Sequence, residues 1–495
     1  TITQDGLKKQ LTIVASAEME GRETGTEGQR KAAAYIESQF KSFGLIPAPA
    51  LNGYQQYYPL RKDTLVPDKL KIGKTNFQYG TDYILQGTST DQDNIGATEM
   101  VFAGYGIDDK NYTDYAGKDV KGKVVLIISG EPKADGKYLV SGTTRASRWG
   151  FSTTMKVNAA KEKGAAAVVM VNTSWTTIPS QLASSSKSTN LYFPREKSSG
   201  TLNLISIVPG QLKNILSATE ADTILAKAKK QEVLNTTTIS KKIKTELKFK
   251  KSVIEVMASN VLGYIEGSDK KNEYVFLTAH YDHIGKRGDI INYGADDDGS
   301  GTVSVIEMAQ AFAKAKEDGN GPRRTIVFMT VSGEEKGLWG SEYYSEHPVF
   351  ALDKTTVDLN TDMIGRLDPN RKYGDSTNYV YVVGDDKLSS DLKPISIAVN
   401  DKYTKLELDY KFNDANDPER IYYRSDHYNF AKKGVPIIFY FDGIHADYHK
   451  PTDTVDKINF DVMEKRARLI FHTAWDMANR DEMLKRDIPL PTEVR

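Results

Sequence analysis

Beyond Val261 the chain alternates short apolar runs with helical stretches, and no other feature restricts the fold as much. The runs "EYVFLTA", "RTIVFMTV", "TTVDLNTDM" and "PIIFYF" are largely continuous in their apolar character, as expected of strands covered on both faces. Helical stretches such as 302–316 separate them. This order predicts an α/β fold, an open and mostly parallel sheet flanked by helices. Upstream, residues 26–43 read as an amphipathic helix with Ala33, Ile36, Phe40 and Phe43 on one stripe and Gly44 as its stop. The Tyr-rich stretch after Pro47 and Pro49 reads as irregular. A further strand–helix–strand unit follows, with strands at 122–131 and 165–172 around a helix at 153–163.

A chain of 495 residues is long enough for two or more domains. Its 66 basic and 66 acidic residues cancel, which leaves no basic field for nucleic acid. No apolar run reaches the roughly 18 residues of a membrane span. Cysteine is absent, so disulfide frameworks, thiolate metal sites and cysteine nucleophiles are excluded. With no signal peptide in view, Thr1 reads as the start of a mature, exported chain, periplasmic, cell-surface or secreted.

All seven histidines lie beyond residue 279. Each strong strand of the last half ends in residues able to hold a metal. His280 and Asp282 close the first, Glu334 and Glu335 the second, Asp362 the third, and His445 and His449 follow the fourth. Between the first two strands, "GADDDGSG" opens a helix with Asp296, Asp297 and Asp298. Singly, these motifs have plain readings: "GEE" as a solvated helix start, the aspartate run as a turn and helix cap. Together they fall at carboxyl ends of strands, where open α/β sheets collect ligands. A cation would also account for the adjacent like charges of Glu334 and Glu335. Imidazole with carboxylate suits zinc. The donors are too many for one three-ligand zinc and suit two metals sharing a carboxylate, about 3.5–4 Å apart.

The ordered set "AHYDHIG", "GADDDGSG", "VSGEEKGLWGS", "NTDMIG" and "DYHKPTDT" resembles family twenty-eight of the metallopeptidases, which includes secreted bacterial di-zinc aminopeptidases and glutamate carboxypeptidases. The stretch "GYGIDDKNYTDYAGKDVKGKVVLI" is similar to the protease-associated domain that many members carry as an insertion. The resemblance implies a discontinuous zinc peptidase domain, 1–90 plus 241–495, interrupted by a protease-associated α/β domain over 91–240. It implies that His280 and Asp362 hold one zinc and Glu335 and His449 the other, with Asp297 bridging. Asp296 and Asp298 are competing frames for the bridge, and His445 competes with His449. A cis Asp297–Asp298 bond is expected by the same likeness.

Glu334 would be the general base, taking a proton from the attacking water and returning it to the leaving amine. Asp282 would orient the His280 imidazole from behind, and Tyr448 would help stabilise the oxyanion. Ser425, Asp426 and His427 would line the substrate pocket, while His283, His347 and His472 receive no role. The function implied is a two-zinc exopeptidase acting on peptides, an aminopeptidase first. A carboxypeptidase or dipeptidase is the alternative, as is a non-catalytic binding protein on the same scaffold.

Overall fold

A computed structural model describes residues 2–87, 92–188, 190–195, 202–234 and 240–490. The chain divides into two compact units, one of residues 1–60 with 256–495 and one of residues 61–255. The expected boundary at 90–91 lies outside the described residues. Both boundaries of the second unit fall inside long strands, Gln55–Ile72 and Thr245–Ile265. The first of these is the stretch read as irregular. Buried Gln56, Tyr58 and Leu60 alternate with exposed Tyr57, a strand period that Pro59 and Pro67 obscure in the sequence.

In the first unit four parallel strands form the centre of the sheet: β1 (Lys270–His280), β2 (Arg324–Val331), β3 (Thr355–Thr361) and β4 (Ile437–Phe441). Their spatial order is β2-β1-β3-β4, in parallel throughout. Antiparallel strands border them, residues 261–265 beside β2 and Tyr379–Val383 beside β4. Alternation along β1 sends Val275, Leu277 and Ala279 to one core layer and Phe276 to the other. Helices α1 (Gly301–Glu317) and α2 (Phe460–Asn479) cover the first layer, with Val305, Phe312, Met463 and Ile470 buried in it. Both faces are thus closed, and polar function is left to the strand ends.

The second unit has its own six-stranded sheet. Met100–Phe102, Val124–Ile128, Ala167–Val171 and Leu204–Ile207 run parallel, and Ser240–Lys241 and Tyr83–Gln86 add antiparallel edges. Helices Thr153–Glu162 and Ala218–Lys229 accompany it. The strands at 124–128 and 167–171 are wholly buried.

Candidate metal centre

His280 is the last residue of β1, and its ring is 1% exposed. Glu334 and Glu335 follow β2 on a turn that opens at Gly333, whose backbone is left-handed (φ +77°) and where an added Cβ would meet the Tyr58 hydroxyl and Trp339 at 2.9 Å. Only glycine suits that position. Asp362 follows β3 directly, and His449 lies in the loop after β4. Four strand ends and the turn entering α1 therefore supply one cluster.

The three consecutive aspartates divide the work. Asp296 accepts from Gly365 N–H at 2.7 Å and pairs with His445 Nε2 at 3.1 Å. Asp298 accepts from the N–H groups of His280, Gly301 and Met363 at 2.8–3.2 Å. Asp297 alone spans the cluster, with Oδ1 3.3 Å from His280 Nε2 and Oδ2 3.1 Å from His449 Nε2. The peptide between Asp297 and Asp298 is cis, and the Asp453 carboxylate accepts from the N–H groups of both Asp296 and Asp297 at 3.0 and 3.2 Å. His445 is thereby committed to Asp296 and stands outside the donor set.

Two donor groups result. In one, His280 Nε2 lies 3.5 Å from Asp362 Oδ1. In the other, Glu335 lies 3.0 Å from His449 Nε2 and 2.8 Å from His283 Nδ1. His283 is the residue that sequence reasoning left out. Lys336, next to the two glutamates, turns away and pairs with Glu23 at 2.7 Å.

Do these residues fit a cation? His280 Nε2, both His283 nitrogens, Asp297 Oδ2 and Glu335 Oε1 are buried with no hydrogen-bond partner among the described residues. Buried polar groups are rarely left so. Burial would lower the His449 imidazole, yet Asp297 and Glu335 raise it to about 10. Burial likewise works against protonated His280, and Asp362 and Glu334 still hold it well above its ordinary value. The carboxylates thus draw positive charge onto the rings, which a divalent cation would supply in their place. The donor set fits.

Glu334 stands beside this set, its Oε2 3.9 Å from His280 Nε2. Burial pushes its carboxyl well above the usual range; the His280 charge opposes the shift and Glu335 and Asp362 add to it. The pocket in front is lined by Asp297, Glu334 and Asp362, by apolar Met363, Ile421, Phe439, Phe441 and Ile444, and by Arg424 and Tyr448. Arg424 donates to the Tyr448 hydroxyl at 3.3 Å, and Tyr448 stacks on His449.

Two expectations need correction in detail. His280 Nδ1 meets the main-chain carbonyl of Asp282 at 3.1 Å, while the Asp282 carboxylate stands at 3.7 Å. The chain leaves the extended conformation after His280, so the same-face rule for alternate strand residues no longer applies. That carboxylate instead accepts from the Thr24 hydroxyl and from the Glu334 N–H, at 2.7 and 3.2 Å. Ser425, Asp426 and His427 are enclosed rather than pocket-lining. Ser425 accepts from Asn360, Asp426 accepts from Ser341, and the His427 ring bonds the Tyr422 carbonyl. Burial raises Asp426 to about 7 and lowers His427 to about 3. Arg424, one residue earlier, is the one that faces the pocket.

Residues 260–474 match the model described as peptidase family M28, and residues 95–196 match that of the PA domain. Residues 260–474 are thus similar to a family M28 peptidase domain. The PA match falls within the second unit, and the M28 match holds every donor named above. Among relatives, a "Probable zinc metalloprotease" of Pyrenophora tritici-repentis is 28% identical over 46% of this chain and 53% of its own. A "Probable leucine aminopeptidase" of Trichophyton verrucosum is 28% identical over 45% of this chain and 58% of its own. The chain thus spans little more than half the length of these curated relatives. A solved aminopeptidase from Aneurinibacillus sp. strain AM-1 shares the fold, with a TM-score of 0.51 at 20% identity over 99% of this chain and 98% of that one.

Proposed function

We propose that this chain is a zinc-dependent exopeptidase, most directly an aminopeptidase, that binds two zinc ions and uses Glu334 as its general base. The observation that carries the reading is the placement of Glu334: a half-buried carboxylate on the pocket wall, next to two donor groups and outside both. His280 and Asp362 would hold one ion, Glu335 and His449 the other, and Asp297 would be shared. Zinc in these positions would supply Lewis-acid polarisation of the scissile carbonyl and make water acidic near neutral pH.

The chain's own residues do the rest. Glu334 takes a proton from the attacking water and delivers it to the leaving amine, for which its raised affinity for protons is suited. Asp282 fixes the Glu334 backbone through its N–H. Tyr448 accepts from Arg424, which leaves the phenolic proton free to be donated to the developing oxyanion. Met363, Ile421, Phe439, Phe441 and Ile444 exclude water and receive an apolar side chain.

A dipeptidase or carboxypeptidase is the second reading, favoured by Arg424, whose guanidinium at the pocket could hold a terminal carboxylate. Aminoacyl-nitroanilides assayed against N-blocked and C-terminal-glutamate peptides separate the two. Cleavage of free-amino substrates, leucyl and methionyl best, is expected; cleavage of N-blocked peptides alone, from the carboxyl end, overturns the aminopeptidase. Export from the cytoplasm belongs to the same proposal and suits a cysteine-free chain; cell fractionation tests it.

A further inference from the structure

Resting on the two-ion reading, we infer that His283 is itself a ligand of the second cation, through Nδ1. That position then has two imidazoles, His283 and His449, with the carboxylates of Glu335 and Asp297. The first position has one imidazole, His280, and so the two ions sit in chemically unequal sites.

The donor distances fit a shared point. His283 Nδ1 lies 2.8 Å from Glu335 Oε1 and 3.8 Å from Asp297 Oδ2. His449 Nε2 lies 3.1 Å from Asp297 Oδ2 and 3.0 Å from Glu335 Oε2. Around a tetrahedral zinc with bonds of 2.0–2.1 Å, neighbouring donors stand roughly 3.3 Å apart. The four separations bracket that value.

Close approach without a hydrogen bond is the second observation. His283 Nδ1 and Glu335 Oε1 are within reach of each other, yet neither has a hydrogen-bond partner among the described residues. Two donor atoms that face a third point give this geometry. His283 is also wholly buried, and its Nε2 is equally unpartnered, so the ring is not placed to serve another polar group.

Preorganisation is the third. The buried Arg22 guanidinium donates to the carbonyls of Tyr281, Tyr293 and Gly294 at 2.7–2.9 Å, and the His283 N–H donates to the Arg22 carbonyl at 3.3 Å. At Gly294 an added Cβ would stand 2.6 Å from the His283 ring. The loop therefore grips the imidazole between Arg22 and a residue that must lack a side chain. Two neutral imidazoles with a carboxylate and a shared carboxylate also balance most of a dication's charge, and imidazole-rich sites suit zinc.

The decisive measurement is on the wild-type protein loaded with zinc chloride. X-ray absorption or anomalous diffraction should place His283 Nδ1 at about 2.0–2.1 Å from the second ion. An ion more than about 3 Å from that nitrogen, with Nδ1 bonded to Glu335 instead, overturns the assignment even if the ion is present. Calorimetric titration of apoprotein with zinc gives a second readout. His283→Ala should weaken one of two sites by at least about 100-fold, as His449→Ala should, and leave the other unchanged. Because removal of a supporting residue also costs 10–100-fold, the distance takes precedence over the affinity, and it needs no variant to fold. Two zinc ions retained by His283→Ala within about threefold of wild-type affinity reject His283 while the exopeptidase stands. No zinc bound by the wild type rejects both.

Discussion

The molecule buries charge in both units, and a pair in the second unit contrasts with one cluster in the first. In the second unit the Lys156 ammonium is 2% exposed and donates to the carbonyls of Tyr105 and Gly130. Nearby Asp114 accepts from the N–H groups of Tyr105 and Ile107 and from the Tyr112 hydroxyl. Those charges are answered by their own chain. At the strand ends of the first unit, five donor atoms on four residues have no such answer. A satisfied buried charge specifies a fold, whereas an unsatisfied cluster of imidazole and carboxylate specifies a ligand.

The sharpest way to break that contrast is Glu334→Gln. The variant keeps all donors, so it should retain wild-type zinc content while turnover falls on the order of 10²–10⁴-fold; metal analysis beside kinetics checks both halves. Loss of zinc from this variant would make Glu334 a ligand. Asp297→Ala removes the carboxylate shared by both groups. Wild-type protein should gain about 2.7 kcal/mol in zinc at 100 times its dissociation constant, visible as a raised melting temperature that chelator reverses. Asp297→Ala should show almost none of this response.

A smaller effect is expected at Asp453, whose carboxylate holds two N–H groups of the aspartate turn. Asp453→Ala leaves both unpaired in a buried place, at about 1–3 kcal/mol each, and should lower zinc affinity as well as stability. Unaltered zinc affinity there would separate the turn from the site.

The smallest effect belongs to Lys156. Burial lowers its pKa from 10.5 to about 8, so between those values the unfolded chain holds the proton and the folded chain does not. Stability should accordingly rise with pH across that window, by at most about 1.4 kcal/mol per pH unit, and the destabilising contribution is fully present below pH 8. Denaturation curves at pH 8 and 10 for wild type and Lys156→Met check it: the difference between them should change with pH, and zinc should leave that difference unaltered.

The elements that carry the site were legible because apolar runs and strand ends are local. His280, Glu335 and Asp362 sit where continuous hydrophobic runs stop, and α1 begins one residue before its expected start. What escaped depends on contacts between distant residues. His283 follows His280 by three residues, but its inward turn is set by Arg22, some 260 residues earlier, and by the glycine at 294. The carboxylate of Asp282 was taken by Thr24 and Glu334, partners that periodicity cannot reveal. The choice among three adjacent aspartates likewise rests on which backbone N–H groups come near, and only the folded turn decides it.

Arg22 also sets a timetable. Its guanidinium meets the Gly294 carbonyl, 272 residues further along the chain. At synthesis rates of about 5–20 residues per second, roughly 15–50 s pass between the making of one and the other. The whole second unit emerges in that interval. A nascent chain therefore carries Arg22 long before there is a loop for it to hold, and the donor cluster stays incomplete until His449, later still, has been made.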